Sequence, residues 1–113
     1  MRIIAEAAEG YAGRWEKELA LVELAARAGA DGVKFQLLHP DELLVPDDPL
    51  YDLVDGLRLP PERWRATAER AAEMEVELLL DVFGRRGLEL AASLGVAAVK
   101  VHGSDMLNHA LLR

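Results

Sequence analysis

Ionisable or amide side chains close each of four short apolar runs in this chain. The runs are Ile3-Ile4-Ala5-Glu6, Gly32-Val33-Lys34-Phe35-Gln36, Leu78-Leu79-Leu80-Asp81 and Ala98-Val99-Lys100-Val101-His102. Fully buried strands of a parallel sheet are continuously apolar, so charge at the end of each run requires an explanation. Ligands of parallel α/β proteins bind at the carboxyl ends of the strands. The runs therefore predict four strands whose last residues surround a polar site, with Lys34 and Lys100 in it.

Side chains alternate across a strand, so the two faces of each predicted strand can be compared. Lys34 shares a face with Gln36, and Lys100 shares a face with His102, while the intervening residues are apolar. Each strand thus turns an apolar side to helices and a polar-ended side to a common interior. We expect the polar residues to converge at one end of a sheet with strand order 1-2-3-4. They are Glu6, Lys34, Gln36, Asp81, Lys100 and His102.

Each of these residues also has a structural interpretation. Inner faces of barrels contain ion-pair networks, and either lysine alone is as consistent with pairing to a carboxylate as with binding phosphate. His102 is consistent with a metal ligand or with hydrogen-bonded structure. Asp105 follows Gly103-Ser104 and precedes a helical stretch, so its default role is that of a helix N-cap. We favour a site because the pattern recurs in all four runs.

Helical periodicity separates the four runs. Amphipathic helices are expected over Trp15 to Arg27, Pro60 to Met74 and Arg86 to Leu94, and a further helix begins near Met106. Strands that alternate with helices at this spacing predict parallel βα units. The predicted fold class is therefore α/β, with residues 1–113 forming a single partial domain. It amounts to half of a TIM-type (β/α)8 barrel, which takes about 250 residues.

The loops support the barrel over an open flavodoxin-like sheet, although such a sheet suits the chain length better. The loop of residues 7–13 has no Gly-rich fingerprint and no run of hydroxyls for phosphate. The one long connection runs from Leu38 to Leu59, and connections of this length are usually functional or cover something.

Composition excludes several classes of partner. The net charge of −7 argues against nucleic acid and against an anionic membrane surface, both of which require a basic face. No apolar run approaches the roughly 20 residues of a membrane span. The chain has no cysteine, which excludes disulfides and zinc-thiolate sites. No signal segment opens the sequence, so the expected compartment is the cytoplasm.

Three strand segments resemble the first, second and fourth strands of the sialic acid (N-acetylneuraminate) synthase family. They are Ile3-Ile4-Ala5-Glu6, Ala28-Gly29-Ala30-Asp31-Gly32-Val33-Lys34-Phe35-Gln36 and Leu94-Gly95-Val96-Ala97-Ala98-Val99-Lys100-Val101. Asp41-Glu42-Leu43-Leu44-Val45-Pro46-Asp47 resembles the family's loop after the second strand. The similarity implies the amino-terminal half of a (β/α) barrel that condenses phosphoenolpyruvate with an N-acetylated amino sugar.

The resemblance also implies roles for individual residues. Lys34 and Lys100 would hold the phosphate and carboxylate of phosphoenolpyruvate, and Glu6 and Gln36 would face the substrates. Asp105 matches a family glutamate that handles protons near the sugar carbonyl. Ser104 corresponds to a family serine displaced by one residue, and Asp81 stands where the family has an anion-binding hydroxyl. The divalent metal, Mn²⁺ or Mg²⁺, would take its ligands from residues that are not in this chain.

Two departures keep rival functions open. Gly10-Tyr11 replaces an Asn-His pair of the family, and Asp81 would repel phosphoenolpyruvate. These changes favour a half-barrel that has lost catalysis and serves as a binding or assembly module. The enzyme rival is a barrel aldolase that uses Lys34 or Lys100 as a Schiff base. In each case the exposed edges of a four-stranded sheet predict self-association or pairing with a second half-barrel.

Overall fold

The four predicted strands form one parallel sheet in the computed structural model, which describes all 113 residues. The strands are β1 (Ile4–Ala8), β2 (Gly32–Leu37), β3 (Glu77–Val82) and β4 (Ala98–Val101). Their order is β1-β2-β3-β4, and every neighbouring pair is parallel. The expected βα topology and strand order are therefore confirmed.

Six helices follow or separate these strands. They are α1 (Trp15–Arg27), α2 (Pro40–Leu43), α3 (Tyr51–Asp55), α4 (Pro61–Glu73), α5 (Gly84–Leu94) and α6 (His109–Leu112). The long connection after β2 contains the two short helices α2 and α3. None of the helices combines the length and the apolar composition needed to cross a lipid bilayer.

Two helix starts differ from the sequence prediction by two residues or more. Helix α5 begins at Gly84, two residues before the expected Arg86, because carboxylates distant in sequence accept the N–H groups of its first turn. Near Met106 the chain forms a 3-10 turn over Gly103–Asp105, and the α-helix begins only at His109. Neither feature leaves a periodic signal in the local sequence.

The core lies between the sheet and the helices. Val33, Phe35 and Leu80 are fully buried on the helix-facing side of the sheet. Phe35 packs edge-to-face against Tyr11 and Trp64, with ring centroids 6.1 Å away in both cases. The Tyr11 hydroxyl donates to the carbonyl oxygen of Gln36 at 3.1 Å. Tyr11 therefore belongs to the core and fixes the end of β2, rather than facing the predicted site.

On the opposite face of the sheet, apolar side chains cover Gly32 at the amino-terminal end of the strands. A Cβ atom at Gly32 would lie 2.8 Å from a methyl group of Leu79 and 2.9 Å from one of Ile4. These apolar side chains of β3 and β1 therefore meet over the glycine of β2. The charged residues of the same face follow two positions later along the strands.

A carboxyl group of helix α1 is buried where α1 packs against α4. Glu18 is fully buried, and neither of its carboxyl oxygens has a hydrogen-bond partner. The neighbouring Thr67 hydroxyl donates to the carbonyl oxygen of Arg63. Burial raises the pKa of Glu18 to about 8. The Glu18 carboxyl is therefore mostly protonated in the folded protein at pH 7.

The substitution Glu18→Gln should stabilise the protein at neutral and alkaline pH. Because the folded pKa is raised from 4.5 to about 8, ionisation of Glu18 in the unfolded chain lowers stability as pH rises from about 4.5 to 8. The glutamine variant escapes this loss, which is on the order of 2–3 kcal/mol at pH 7. Urea unfolding at pH 5 and pH 8 measures the difference. The matched control is Glu16→Gln, an exposed position on the same helix. An equal pH dependence in wild type and Glu18→Gln would contradict the prediction.

The isolated chain should self-associate, because strands β1 and β4 each leave one edge without a partner strand. Val99 on β4 is 39% exposed. Sedimentation velocity at micromolar concentration should show dimers or larger species. Val99→Lys should shift the distribution toward monomer, because a charge on an edge strand opposes strand addition. A compact monomer of the unmodified chain would be the contrary result.

Candidate functional site

Lys34 and Glu6 form an ion pair across strands β1 and β2. The two residues are register partners, and the Lys34 Nζ atom lies 2.6 Å from Glu6 Oε2. The Lys34 side chain is 20% exposed, whereas that of Glu6 is 52% exposed. The other Glu6 oxygen accepts the N–H of Ala8 at 3.3 Å, beside an irregularity in the β1 register. One of the two predicted lysines is therefore held by a carboxylate that solvent reaches.

Lys100 and Asp81 form the corresponding pair across β3 and β4. They too are register partners, and Lys100 Nζ lies 2.6 Å from Asp81 Oδ2. Here the exposure is reversed, because the Asp81 side chain is 2% exposed and that of Lys100 is 50% exposed. Asp81 Oδ1 is buried and has no hydrogen-bond partner. The buried charge of Asp81 therefore depends on Lys100 for its compensation.

Gln36 links the two pairs in the sheet. It is two residues beyond Lys34 on β2 and is the register partner of Asp81 on β3. The structure thus brings Glu6, Lys34, Gln36, Asp81 and Lys100 to one face of the sheet, toward the carboxyl ends of its strands. Both lysines pair with neighbouring carboxylates. Such pairing was one of the two interpretations that the sequence left open for each lysine, the other being binding of phosphate.

Asp105 and Ser104 lie just beyond the end of β4. Asp105 Oδ2 accepts the N–H of Gly84 at 2.7 Å, and Oδ1 accepts the side-chain amide of Asn108 at 3.0 Å. The Asn108 amide and the Gly84 N–H lower the pKa of Asp105. The default interpretation of Asp105 as the N-cap of the following helix is wrong, since Asn108 caps α6 and Asp105 instead caps α5.

Glu42 holds the first turn of α5, a contact that the sequence did not predict. Its carboxylate accepts the backbone N–H of Arg86 at 3.0 and 3.2 Å, and Asp41 pairs with the Arg86 guanidinium at 3.2 Å. A Cβ atom at Gly84 would lie 2.5 Å from the Glu42 carboxyl carbon. The connection after β2 is thereby fastened to the loop after β3. Residues 44 positions apart form this contact, so no local pattern indicates it.

The described residues do not offer a metal site. No group of three or more His, Asp or Glu side chains comes close enough to hold a metal ion. The largest surface cavity, about 420 Å³, is lined by the long connection and the start of α4. Its lining residues are His39, Asp55, Arg58, Leu59, Pro60 and Pro61. None of the strand-end charges lines this cavity, so the candidate site is an open sheet face.

The two ion pairs predict different costs for losing a lysine. Lys100→Met leaves the buried Asp81 carboxylate without a partner, whereas Lys34→Met leaves the half-exposed Glu6 to water. Breaking a buried pair costs about 3–5 kcal/mol, and the exposure of Lys100 reduces that figure. We expect Lys100→Met to destabilise the protein by about 1–3 kcal/mol more than Lys34→Met in urea unfolding. Equal stabilities of the two variants would contradict the burial difference.

Known proteins match this chain over nearly its whole length. The spore coat polysaccharide biosynthesis protein SpsE of Bacillus subtilis (strain 168) is 31% identical over 118 residues, covering 95% of this chain and 31% of that protein. The N,N'-diacetyllegionaminic acid synthase of Legionella pneumophila is 28% identical over 120 residues, covering 94% of this chain and 34% of the synthase. The chain therefore spans about a third of the length of these relatives.

A solved structure agrees with the fold. The N-acetylneuraminic acid (sialic acid) synthetase from Leptospira borgpetersenii serovar Hardjo-bovis superposes with a TM-score of 0.90 at 24% identity. The match covers 99% of this chain and 40% of the synthetase. The four parallel strands thus correspond to part of a (β/α)8 barrel, as the sequence predicted. The NeuB family profile matches residues 21–113, which confirms the resemblance stated from the strand ends, and the chain belongs to the NeuB family.

Proposed function

We propose that this chain forms part of a sialic acid synthase-like enzyme that condenses phosphoenolpyruvate with an N-acetylated amino sugar. The observation that carries the proposal is the presence of Lys34 and Lys100 on one sheet face, toward the carboxyl ends of parallel strands. Ligands of this architecture bind at that end of the sheet. The names of the Legionella and Leptospira relatives support the same class of reaction.

The proposed reaction forms one carbon–carbon bond. C3 of phosphoenolpyruvate attacks the aldehyde carbon of the open-chain sugar, and the aldehyde oxygen takes up a proton to become a hydroxyl. Water adds at C2 and phosphate leaves, which generates the keto acid. In this scheme Lys34 and Lys100 hold the phosphate and carboxylate, with Ser104 and Asp81 beside them. Glu6 and Gln36 face the substrates, and Asp105 handles the proton at the sugar oxygen.

A divalent metal, Mn²⁺ or Mg²⁺, belongs to this proposal by resemblance and supplies Lewis-acid stabilisation of a developing alkoxide. The described residues provide no set of three ligands for it. We therefore assign the metal to no side chain of this chain. The roles proposed for the lysines and carboxylates above stand without it.

A non-catalytic binding or assembly module is the second candidate. The observation in its favour is that each lysine of the site lies 2.6 Å from a carboxylate oxygen. At an effective dielectric of about 20, two unit charges about 4 Å apart interact by about 4 kcal/mol, so the pairs cancel much of the attraction for an anion.

The same pairing disfavours a Schiff-base aldolase, because an ion-paired ammonium has no free electron pair. Borohydride trapping of an adduct on Lys34 or Lys100 would favour that aldolase.

The substitution Asp81→Thr should strengthen binding of phosphoenolpyruvate. Asp81 opposes an anionic ligand beside Lys100, and its removal frees the Lys100 ammonium. We expect weak binding by the unmodified chain, no synthase turnover with amino sugars and Mn²⁺ or Mg²⁺, and an affinity gain of about tenfold or more in the variant. Isothermal titration calorimetry with phosphoenolpyruvate measures both affinities.

Two controls separate the local charge from other effects. Asp81→Asn removes the charge with little change in shape and should behave like Asp81→Thr. Glu89→Gln removes one charge at an exposed position of α5 and should leave the affinity unchanged. Tight binding by the unmodified chain, or weaker binding by both Asp81 variants, would show that Asp81 does not oppose the ligand. Absence of binding in every variant would favour the assembly module.

A further inference from the structure

His102 lies on the same side as the Lys100–Asp81 pair, just past the carboxyl end of β4. It follows Lys100 by two residues, and its N–H donates to the carbonyl oxygen of Val82, so the strand geometry continues to this position. Its ring stacks on Phe83, which follows Asp81 by two residues, with centroids 4.3 Å apart and planes at 29°. Phe83 is buried, and His102 is half-buried. The stacked rings therefore continue the site face beyond the ends of β3 and β4 and fix the orientation of the imidazole.

The hydrogen bonds of His102 define which ring nitrogen is free. Nδ1 accepts the backbone N–H of Ser104 at 3.4 Å and lies 3.2 Å from the Ser104 hydroxyl. A backbone N–H can only donate, so Nδ1 is the acceptor of this contact and Nε2 carries the ring N–H. Nε2 has no hydrogen-bond partner and is not among the buried unpartnered atoms. Both carboxylate oxygens of the nearby Asp105 are already bound to Gly84 and Asn108.

We propose that His102 is an additional substrate-binding residue, whose Nε2–H donates to a phosphate or carboxylate oxygen of the ligand held beside Lys100. This inference rests on the proposed function. Both ammonium groups of the face are paired with carboxylates, which weakens them as anion ligands. The ring N–H of His102 has no carboxylate partner and is not cancelled in this way. His102 thus supplies a donor at the carboxyl end of the sheet that persists while the ion pairs are intact.

Two substitutions distinguish the donor from the rest of the ring. In His102→Asn the side-chain oxygen replaces Nδ1 and still accepts the Ser104 N–H, but nothing replaces the Nε2 donor. In His102→Gln the amide nitrogen reaches the position of Nε2 and keeps a donor there. Both variants lose the stacked ring. His109→Asn, at an exposed position of α6, controls for the loss of a histidine elsewhere.

The experiment is a nuclear magnetic resonance titration of the full ¹⁵N-labelled chain with phosphoenolpyruvate, and separately with inorganic phosphate. It uses the unmodified protein and the Asp81→Thr background. We expect the Nε2 resonance of His102 to shift with saturation. The affinity should fall by about tenfold in His102→Asn and by less than threefold in His102→Gln and His109→Asn. A response to phosphoenolpyruvate without one to phosphate identifies the carboxylate as the acceptor.

The contrary outcomes are distinct. If amides near Lys100 respond to phosphoenolpyruvate while His102 Nε2 does not shift and His102→Asn binds normally, the inference about His102 is wrong and the proposed function stands. Equal losses of affinity in His102→Asn and His102→Gln would assign His102 to packing against Phe83 and would also overturn the inference. If no resonance responds in either background, the proposed function and the inference both fail.

Discussion

Alternation of side chains across a parallel sheet in regular register is the constraint on which this structure depends. Strands β2 and β3 pair over six consecutive residues without a shift, from Gly32 with Glu77 to Leu37 with Val82. Because neighbouring strands share this register, one face collects Val33, Phe35 and Leu80, and the helices cover it. The opposite face collects the charged residues. The same pairing therefore builds the core and the candidate site, and a one-residue slip would exchange them.

On the charged face of this acidic protein, positive and negative charges are equal in number and paired. The net charge of the chain is −7, yet on this face each ammonium has its own carboxylate within 2.6 Å. The two pairs are unlike, since the carboxylate is exposed in one and the ammonium is exposed in the other. Burial of Asp81 carries a desolvation cost that only Lys100 offsets. The structural and functional interpretations of these lysines are thus compatible: an ion pair fixes each side chain in the place where an anionic ligand would meet it.

The sequence predicted what depends on short-range periodicity. The strand order, the shared face of Lys34 and Lys100, and helices close to Trp15–Arg27 and Pro61–Glu73 all follow from alternation and amphipathic spacing. Contacts between distant segments were not predictable, because no local pattern encodes them. Asp105 looked like the cap of the next helix, yet its oxygen reaches Gly84, 21 residues earlier. Glu18 lies within the predicted helix Trp15–Arg27, and only the packing of α1 on α4 shows that it is buried. The ion pairs themselves were open alternatives until the register was known.

The contact between Glu42 and the first turn of α5 links two positions in sequence variation. Gly84 has a backbone φ of +71°, and any Cβ atom there would overlap the Glu42 carboxylate. A larger residue at position 84 therefore displaces the Glu42 carboxylate or selects a shorter side chain at position 42, and either change would leave the Arg86 N–H without its acceptor. The loop after β3 and the connection after β2 are consequently constrained to change together in divergent copies of this chain.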